Sequence, residues 1–253
     1  MAHDIAIVTQ TVCRASLLRA ARSVFSQAGA LRIHLLIGVD VARFASSEAM
    51  AAAVQAEAPA NVTVTWLDVG YSTSARHGGV HACRFGGALR SVLSFLADAR
   101  HVVYLDDDDW LHPEHCRTVL AAVQGVKWAF PLSIYADGDS GEPLGVDGIE
   151  SVGVGAGIYA QKLGGFVRPS GLCIDKLALL HVLHLWSRAG TPAGDGEDRL
   201  IFNAIRTEPH RCTGRATVYC AIDPSDAMHA TRLAWLRSQG VSASPTGKID
   251  SVR

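Results

Sequence analysis

Four consecutive aspartates, Asp106, Asp107, Asp108 and Asp109, close the apolar run His101-Val102-Val103-Tyr104-Leu105. A β-branched, aromatic-rich run of that length reads as a buried strand. Carboxylates stacked at its tip repel one another and lose water unless positive charge sits among them. A divalent cation that prefers oxygen, Mn²⁺ or Mg²⁺, relieves both costs. The carboxyl ends of strands are also where open α/β sheets place their ligands. Trp110, His112 and Pro113 follow, and the fixed φ of proline suits the first turn of a helix. The acidic cluster therefore belongs on a strand-to-helix turn. One aspartate, Asp109, suffices to cap that helix, and four exceed what a cap requires.

Two further acidic places lie at expected element ends. Asp40 closes a second apolar run, and Glu197-Asp198 follows the turn Gly194-Asp195-Gly196. Taken singly, each has an ordinary explanation. Asp40 can end a strand in a turn, and acids in a helix's first turn are favoured by its dipole. The spacings of His77, His81 and Cys83, and of His112, His115 and Cys116, are weak zinc signals. The glycines of Gly153-Val154-Gly155-Ala156-Gly157 make a weak phosphate cradle, since no lysine or helix start follows.

The elements that must position these residues alternate through the first half. Strands are expected over 5–11, 32–40, 62–69 and 102–105, with helices over 15–27, 47–56 and 84–97. That order predicts a mostly parallel sheet with helices on both faces. The second half predicts a helix over 113–123, a strand over 128–135, a hairpin turn at 137–141 and a mobile, glycine-rich loop over 145–165 with one strand at most. It continues with a short strand over 172–174, helices over 175–188 and 197–206, and a strand over 217–222. With no repeat or linker visible, one domain over 1–240 and a flexible tail over 241–253 are expected.

Composition narrows the functional class. The 253 residues suit one α/β domain, and 49% hydrophobic content supports a sizeable core. A net charge of −1 offers no surplus for a nucleic-acid backbone. No signal peptide is expected, since Asp4 interrupts the N-terminal stretch, and no run approaches the roughly 18 apolar residues of a membrane span. The longest run, 177–186, contains His181 and His184. A cytoplasmic protein with, at most, peripheral membrane contact is the expectation. The six scattered cysteines contain no Cys-x-x-Cys pair and read as reduced, mostly buried thiols.

The ordered set resembles the family 2 glycosyltransferases of GT-A fold. It comprises the strand Ile5-Ala6-Ile7-Val8-Thr9, the strand end Gly38-Val39-Asp40, the segment Tyr104-Leu105-Asp106-Asp107-Asp108-Asp109-Trp110 and the downstream pair Glu197-Asp198. The resemblance implies a GT-A-like Rossmann-type α/β sandwich. It also implies transfer of a sugar from a nucleotide donor, typically a UDP-sugar, to a hydroxyl of a glycan or other acceptor in polysaccharide synthesis. By the same resemblance, Thr9 contacts the nucleotide base, Asp40 accepts a hydrogen bond from it, and Arg84 approaches ribose or pyrophosphate. Asp107 binds ribose or supports the metal; Asp108, with Asp106 sharing the role, ligates Mn²⁺ or Mg²⁺. Asp198 is the general base with Glu197 as neighbour or alternate, and His229 reaches the metal or diphosphate. A lone carboxylate base with no enzyme nucleophile implies inversion at the anomeric carbon.

The stretch Cys83-Arg84-Phe85-Gly86-Gly87 departs from the family's Ala-Arg-Asn-x-Gly pattern, and residues 145–171 match nothing in it. Three alternatives remain. A nucleotidyltransferase acting on sugar phosphates would carry a glycine-rich phosphate loop after the first strand, where this chain has Thr9-Gln10-Thr11-Val12-Cys13-Arg14. A non-catalytic nucleotide-sugar or glycan-binding module would lack a usable base at Glu197-Asp198. A helical diphosphate enzyme would need its aspartates at helical spacing, which the preceding strand opposes.

Overall fold

The computed structural model describes residues 1–86 and 88–241. Within them one nine-stranded sheet is formed by β1 (Ile5–Thr11), β2 (Ile33–Val39), β3 (Val62–Asp68), β4 (His101–Tyr104), β5 (Trp110–Leu111), β6 (Trp128–Asp137), β7 (Pro143–Val146), β10 (Cys173–Asp175) and β11 (His210–Ile222). A separate two-stranded hairpin pairs β8 (Gly153–Val154) with β9 (Gly165–Phe166). The main order is β3-β2-β1-β4-β10-β6-β11-β5, with β7 attached to β6. Strands β1 to β4 run parallel, as the alternation predicts; β10 then enters antiparallel between β4 and β6.

Strand parity divides the core. Ile5, Ile7, Ile33, Leu35 and Ile37 face one layer, where α1 (Ser16–Phe25), α2 (Ser47–Glu57) and α4 (His115–Ala122) pack. Ala6, Val8, Leu36, Val102 and Tyr104 face the other, against α3 (Leu89–Leu96), a 3-10 helix at Leu180–Ser187 and α6 (Glu197–Ile205). Residues i and i+2 share a face of a strand, so a continuously apolar β2 serves both layers. Helix α1 buries Leu17, Ala20, Ala21 and Val24, the i, i+3, i+4, i+7 stripe of an amphipathic helix. Ser46 caps α2 by accepting the Ala49 N–H at 3.1 Å.

Several expected boundaries shift, each for a local reason. The helix expected from Arg84 begins only at Leu89. Gly86 holds φ +75°, a left-handed conformation that an α-helix cannot propagate through. Arg84 therefore sits in a loop. The helix expected over 175–188 is a 3-10 helix from Leu180, because the Asp175 carboxylate accepts the N–H groups of Leu177 and Ala178 and turns the chain first. The segment 145–165 is folded: β7 completes the predicted hairpin with β6, and α5 (Ala160–Leu163) joins β8 to β9. Gly165 holds φ +98°, and a Cβ there would meet the Gly153 carbonyl oxygen at 2.1 Å, so close backbone approach explains that glycine.

Strand β11 starts seven residues earlier than expected, alongside β6. The short β5 and helix α7 (His229–Ser238) have no counterpart in the sequence reading. The six cysteines are unpaired, and only Cys212 is exposed. Among the described residues no helix is long and apolar enough to cross a membrane. Residues 242–253, most of the expected tail, lie outside the described residues.

Candidate active site

The chain runs from β1 outward to β3 and then returns to place β4 on the other side of β1. A crevice opens where those directions diverge, at the carboxyl ends of β1 and β4. Thr11 ends β1 and donates its hydroxyl to Asp107 Oδ2 at 2.7 Å, closing the crevice floor. Above that floor lies a cavity of about 470 Å³. Asp40, Arg84, Asp106, Asp107, Asp108, Glu197 and Asp198, seven of the residues predicted for the site, line it.

The four aspartates diverge rather than stack. The turn is fixed by the Asp109 N–H bonding the Asp106 carbonyl at 3.2 Å and by Ser170 Oγ accepting the Asp106 N–H at 3.1 Å. Asp106 accepts from Arg90 Nη2 at 2.5 Å. Asp108 pairs with Arg14 Nη1 at 2.9 Å, and Asp107 lies 3.7 Å from the same nitrogen. Asp109 turns inward beneath β11, where it accepts the Ala221 N–H at 3.2 Å; it neither caps α4 nor lines the cavity. Partial loss of water, followed by repulsion from Asp109, Asp106 and Asp107, pushes Asp108 up to about 8. Burial also raises Asp107, against the pull of Thr11 and Arg14.

The second carboxylate pair stands at the N-terminus of α6. Gly196, with φ +82°, precedes it and turns the chain so that both acids face the cavity. Glu197 is buried, its Oε2 has no hydrogen-bond partner, and its pKa is pushed up to about 7, chiefly by burial. Burial likewise raises Asp198. Asp198 accepts the Arg199 N–H at 2.7 Å and forms no ion pair among the described residues, unlike an acid retired into a structural salt bridge.

Arg90, on α3, joins the two acidic motifs. Its guanidinium reaches Asp106 and lies 3.9 Å from Glu197 Oε1, and it sits 4.6 Å over the Trp186 ring. Sequence reasoning missed it. The available signal was its place on the stripe Arg90, Leu93, Ser94, Ala97, the buried face of a predicted helix. Also missed are two further arginines that line the cavity, Arg168 and Arg232. Arg232 grips Glu150 through two bonds of 2.6 and 3.0 Å and reaches Asp226 at 2.9 Å; Arg168 pairs with buried Asp147 at 3.1 Å. The Arg232 contacts dock α7 beside the cavity.

Asp40 is oriented by its neighbours. Ser72 Oγ donates to Oδ1 at 2.6 Å, and His77 Nδ1 lies 2.8 Å from Oδ2. His77 does not join His81 and Cys83 in a zinc site, since no three such side chains converge among the described residues. Arg84 lines the cavity from its loop, with its N–H bonded to the Gly194 carbonyl at 2.6 Å.

Two predicted residues fall elsewhere. Thr9 is buried within β1, two positions short of the strand end, because β1 pairs with β2 as far as Thr11; Thr11 takes the lining place instead. His229 opens α7 and does not line the cavity. Trp110 is held by packing, stacked 5.4 Å from Tyr219 and capped by Arg19 at 4.0 Å.

Among the described residues no three His, Cys, Asp or Glu side chains converge as a metal cage. Of the three strand-end acids that line the cavity, Asp106 and Asp108 nevertheless supply hard oxygen donors of the kind a divalent cation takes, while Asp107 is anchored by Thr11. Mg²⁺ and Mn²⁺ are commonly held by one or two carboxylates, with waters and substrate phosphates completing the shell. The crowding of negative charge around Asp108 fits such an ion.

No protein-family model matches this chain, and no curated protein matches it. Solved structures do. The chain resembles S. aureus TarS 1–349 in complex with UDP-GlcNAc at 12% identity and a TM-score of 0.59, over 89% of this chain and 60% of the other. It resembles TarS 1–349 in complex with UDP at 13% identity and a TM-score of 0.55, over 97% of this chain and 68% of the other. Against a longer TarS structure the TM-score is 0.56 at 14% identity, and this chain spans 41% of that one. The likeness shows a shared fold, the GT-A-like α/β architecture that the family resemblance implies.

Proposed function

We propose that this protein is a nucleotide-sugar-dependent glycosyltransferase of the family 2 type, using a UDP-sugar donor and a hydroxyl acceptor. One observation carries the reading: the strand-end acids Asp106, Asp107 and Asp108 and the helix-start acids Glu197 and Asp198, some ninety residues apart in sequence, line one cavity and are bridged by Arg90. The solved TarS complexes with UDP-GlcNAc and UDP lend support from the shared fold.

In this reading Asp40, held by Ser72 and His77, presents a fixed acceptor to the nucleotide at the β2 end. Asp107, anchored by Thr11, faces the ribose, and Arg84 and Arg14 face the diphosphate. Asp106 and Asp108 hold Mn²⁺ or Mg²⁺. Such an ion supplies Lewis-acid stabilisation of the charge that gathers on the departing diphosphate. Asp198 takes the proton from the attacking hydroxyl, and Glu197 beside it keeps that proton within the site. Glycosyl transfer passes through an oxocarbenium-like state, and a single displacement opposite the leaving group inverts the anomeric carbon. The turn after β1, Thr11-Val12-Cys13-Arg14, lacks glycine and so does not support a nucleotidyltransferase.

The experiment is a thermal-shift screen of UDP, other nucleoside diphosphates and UDP-sugars, each with and without Mn²⁺. A ligand of the folded state raises Tm with its occupancy. A Mn²⁺-dependent shift with UDP or a UDP-sugar is expected, and no shift with any nucleotide overturns the proposal. Proton NMR of the product reads the stereochemistry, and retention of the donor's anomeric configuration refutes inversion.

A further inference from the structure

A second, smaller cavity of about 170 Å³ lies beside the first, lined by Phe85, Asp195, Gly196, Glu197, Asp198 and Arg199. Three of these residues, Phe85, Glu197 and Asp198, line the large cavity too. The carboxylate pair and one aromatic ring thus form the wall the two spaces share. Phe85 is 46% exposed, although a phenyl ring gains by burial.

The loop that carries the ring is tied down through its backbone. Ser74 Oγ donates to the Cys83 and Arg84 carbonyls at 2.8 and 3.1 Å. The Arg84 N–H bonds the Gly194 carbonyl, tying the Phe85 loop to the turn that carries Glu197 and Asp198. A Cβ on Gly194 would meet the Ala82 carbonyl oxygen at 2.3 Å, so the two loops pack backbone to backbone. An exposed aromatic side chain on a backbone-anchored loop, lining two adjoining cavities, has the character of a binding surface.

We propose that this small cavity is the acceptor subsite and that Phe85 is its specificity-determining platform, against which the C–H face of a sugar ring packs. The inference rests on the transferase reading of the large cavity. The volume suits one ring rather than a nucleotide. The rim is polar where a sugar is polar: Asp195 and Arg199 are placed for ring hydroxyls, and the hydroxyl nearest Asp198 is the one deprotonated. A lipid chain would leave those charged groups without partners, at a cost. The acceptor is therefore a carbohydrate presenting one ring edge-on to the carboxylate pair.

The test uses saturation-transfer NMR with methyl β-D-glucopyranoside and the methyl glycoside of N-acetylglucosamine, in the presence of UDP and Mn²⁺, on the native protein, Phe85→Ala and Phe85→Trp. Ring-proton transfer is expected from the native protein. Affinity should fall about tenfold in Phe85→Ala, the scale of one lost aromatic contact, and persist in Phe85→Trp. The ligand-free unfolding temperature and far-UV circular dichroism should agree in all three, which establishes that the variants fold. Glycoside binding unchanged in Phe85→Ala, or absent from native protein that binds UDP, overturns the subsite and leaves the donor reading intact. If UDP fails to bind while Phe85-dependent glycoside binding persists, the donor reading falls and the carbohydrate site stands. Absence of both removes both.

Discussion

Replacing Arg90 by methionine tests the electrostatic joint of the site. The substitution preserves an unbranched chain against Trp186 but removes the charge that faces Asp106 at 2.5 Å and Glu197 at 3.9 Å. Breaking a buried ion pair from one side costs about 3–5 kcal/mol, because the other charge stays buried and unpaired. Here only Glu197 is deeply buried; Asp106 is about one-third exposed and can recover water. The lower end, about 3 kcal/mol at pH 8, is therefore expected. For a chain of this size that lowers Tm by roughly 6–12 °C.

The loss should depend on pH with a definite sign. Glu197 has its folded pKa raised from 4.5 to about 7, chiefly by burial, and Arg90 pulls it down. The folded state thus binds a proton between those values that the unfolded state does not. Its contribution to stability is fully present below 4.5 and lost as pH rises through about 7. Without Arg90 the folded pKa rises further, so the loss deepens at pH 8 and shrinks at pH 5.5, where a neutral Glu197 needs no counter-charge. Urea unfolding of native protein and Arg90→Met at both values measures this. A loss below about 1 kcal/mol at pH 8, or the same loss at both pH values, would refute the joint. Arg90→Lys should fall between, since an ammonium cannot face both carboxylates as a planar guanidinium does.

Asp108→Asn should abolish the Mn²⁺-dependent part of any UDP thermal shift without destabilising the protein alone, because it relieves repulsion among the aspartates; a surviving shift removes Asp108 from the metal set. Asp198→Asn should leave UDP binding intact and lower turnover by about 10²–10⁴-fold, the usual range for a general base, and unchanged turnover assigns the role elsewhere. His115 is fully buried, its Nε2 has no partner, and burial drives its pKa down to about 3. Its stabilising contribution is complete above about 6.5 and is lost as pH falls toward 3. Acid titration should therefore cost the native protein a few kcal/mol more than His115→Gln over that window, and parallel curves would exclude His115 as a cause.

Local pattern carried most of the first half of the fold. Strands β1 to β4 and helices α1 and α2 lie within a residue or two of their expected bounds, because parity and the helical period are written in neighbouring residues. The second half was harder to read for physical reasons. The two-residue strands β5, β8 and β9 are too short to display alternation, and β10 owes its direction to the gap between β4 and β6 rather than to its own sequence. Gly86 and Asp175 displaced helix starts through a left-handed turn and a side-chain cap, effects of single residues inside otherwise helical patterns.

The site divides in the same way. Crowded acids at a strand tip and an acid pair after a glycine turn are visible in the chain, since each motif spans only a few residues and its chemistry is intrinsic to them. What each acid faces is not. Arg14 lies 94 residues from Asp108, and Thr11 lies 96 from Asp107. The bridge from Asp106 through Arg90 to Glu197 and the wall shared by Phe85 and Asp198 arise only when α3, α6 and the loop before α3 pack on one face of the sheet. Sequence alone determined which groups carry charge and where strands end. Tertiary packing decided which charges are neutralised, which are starved of water and which open onto a cavity, because Coulomb interaction and desolvation depend on distance through space rather than along the chain.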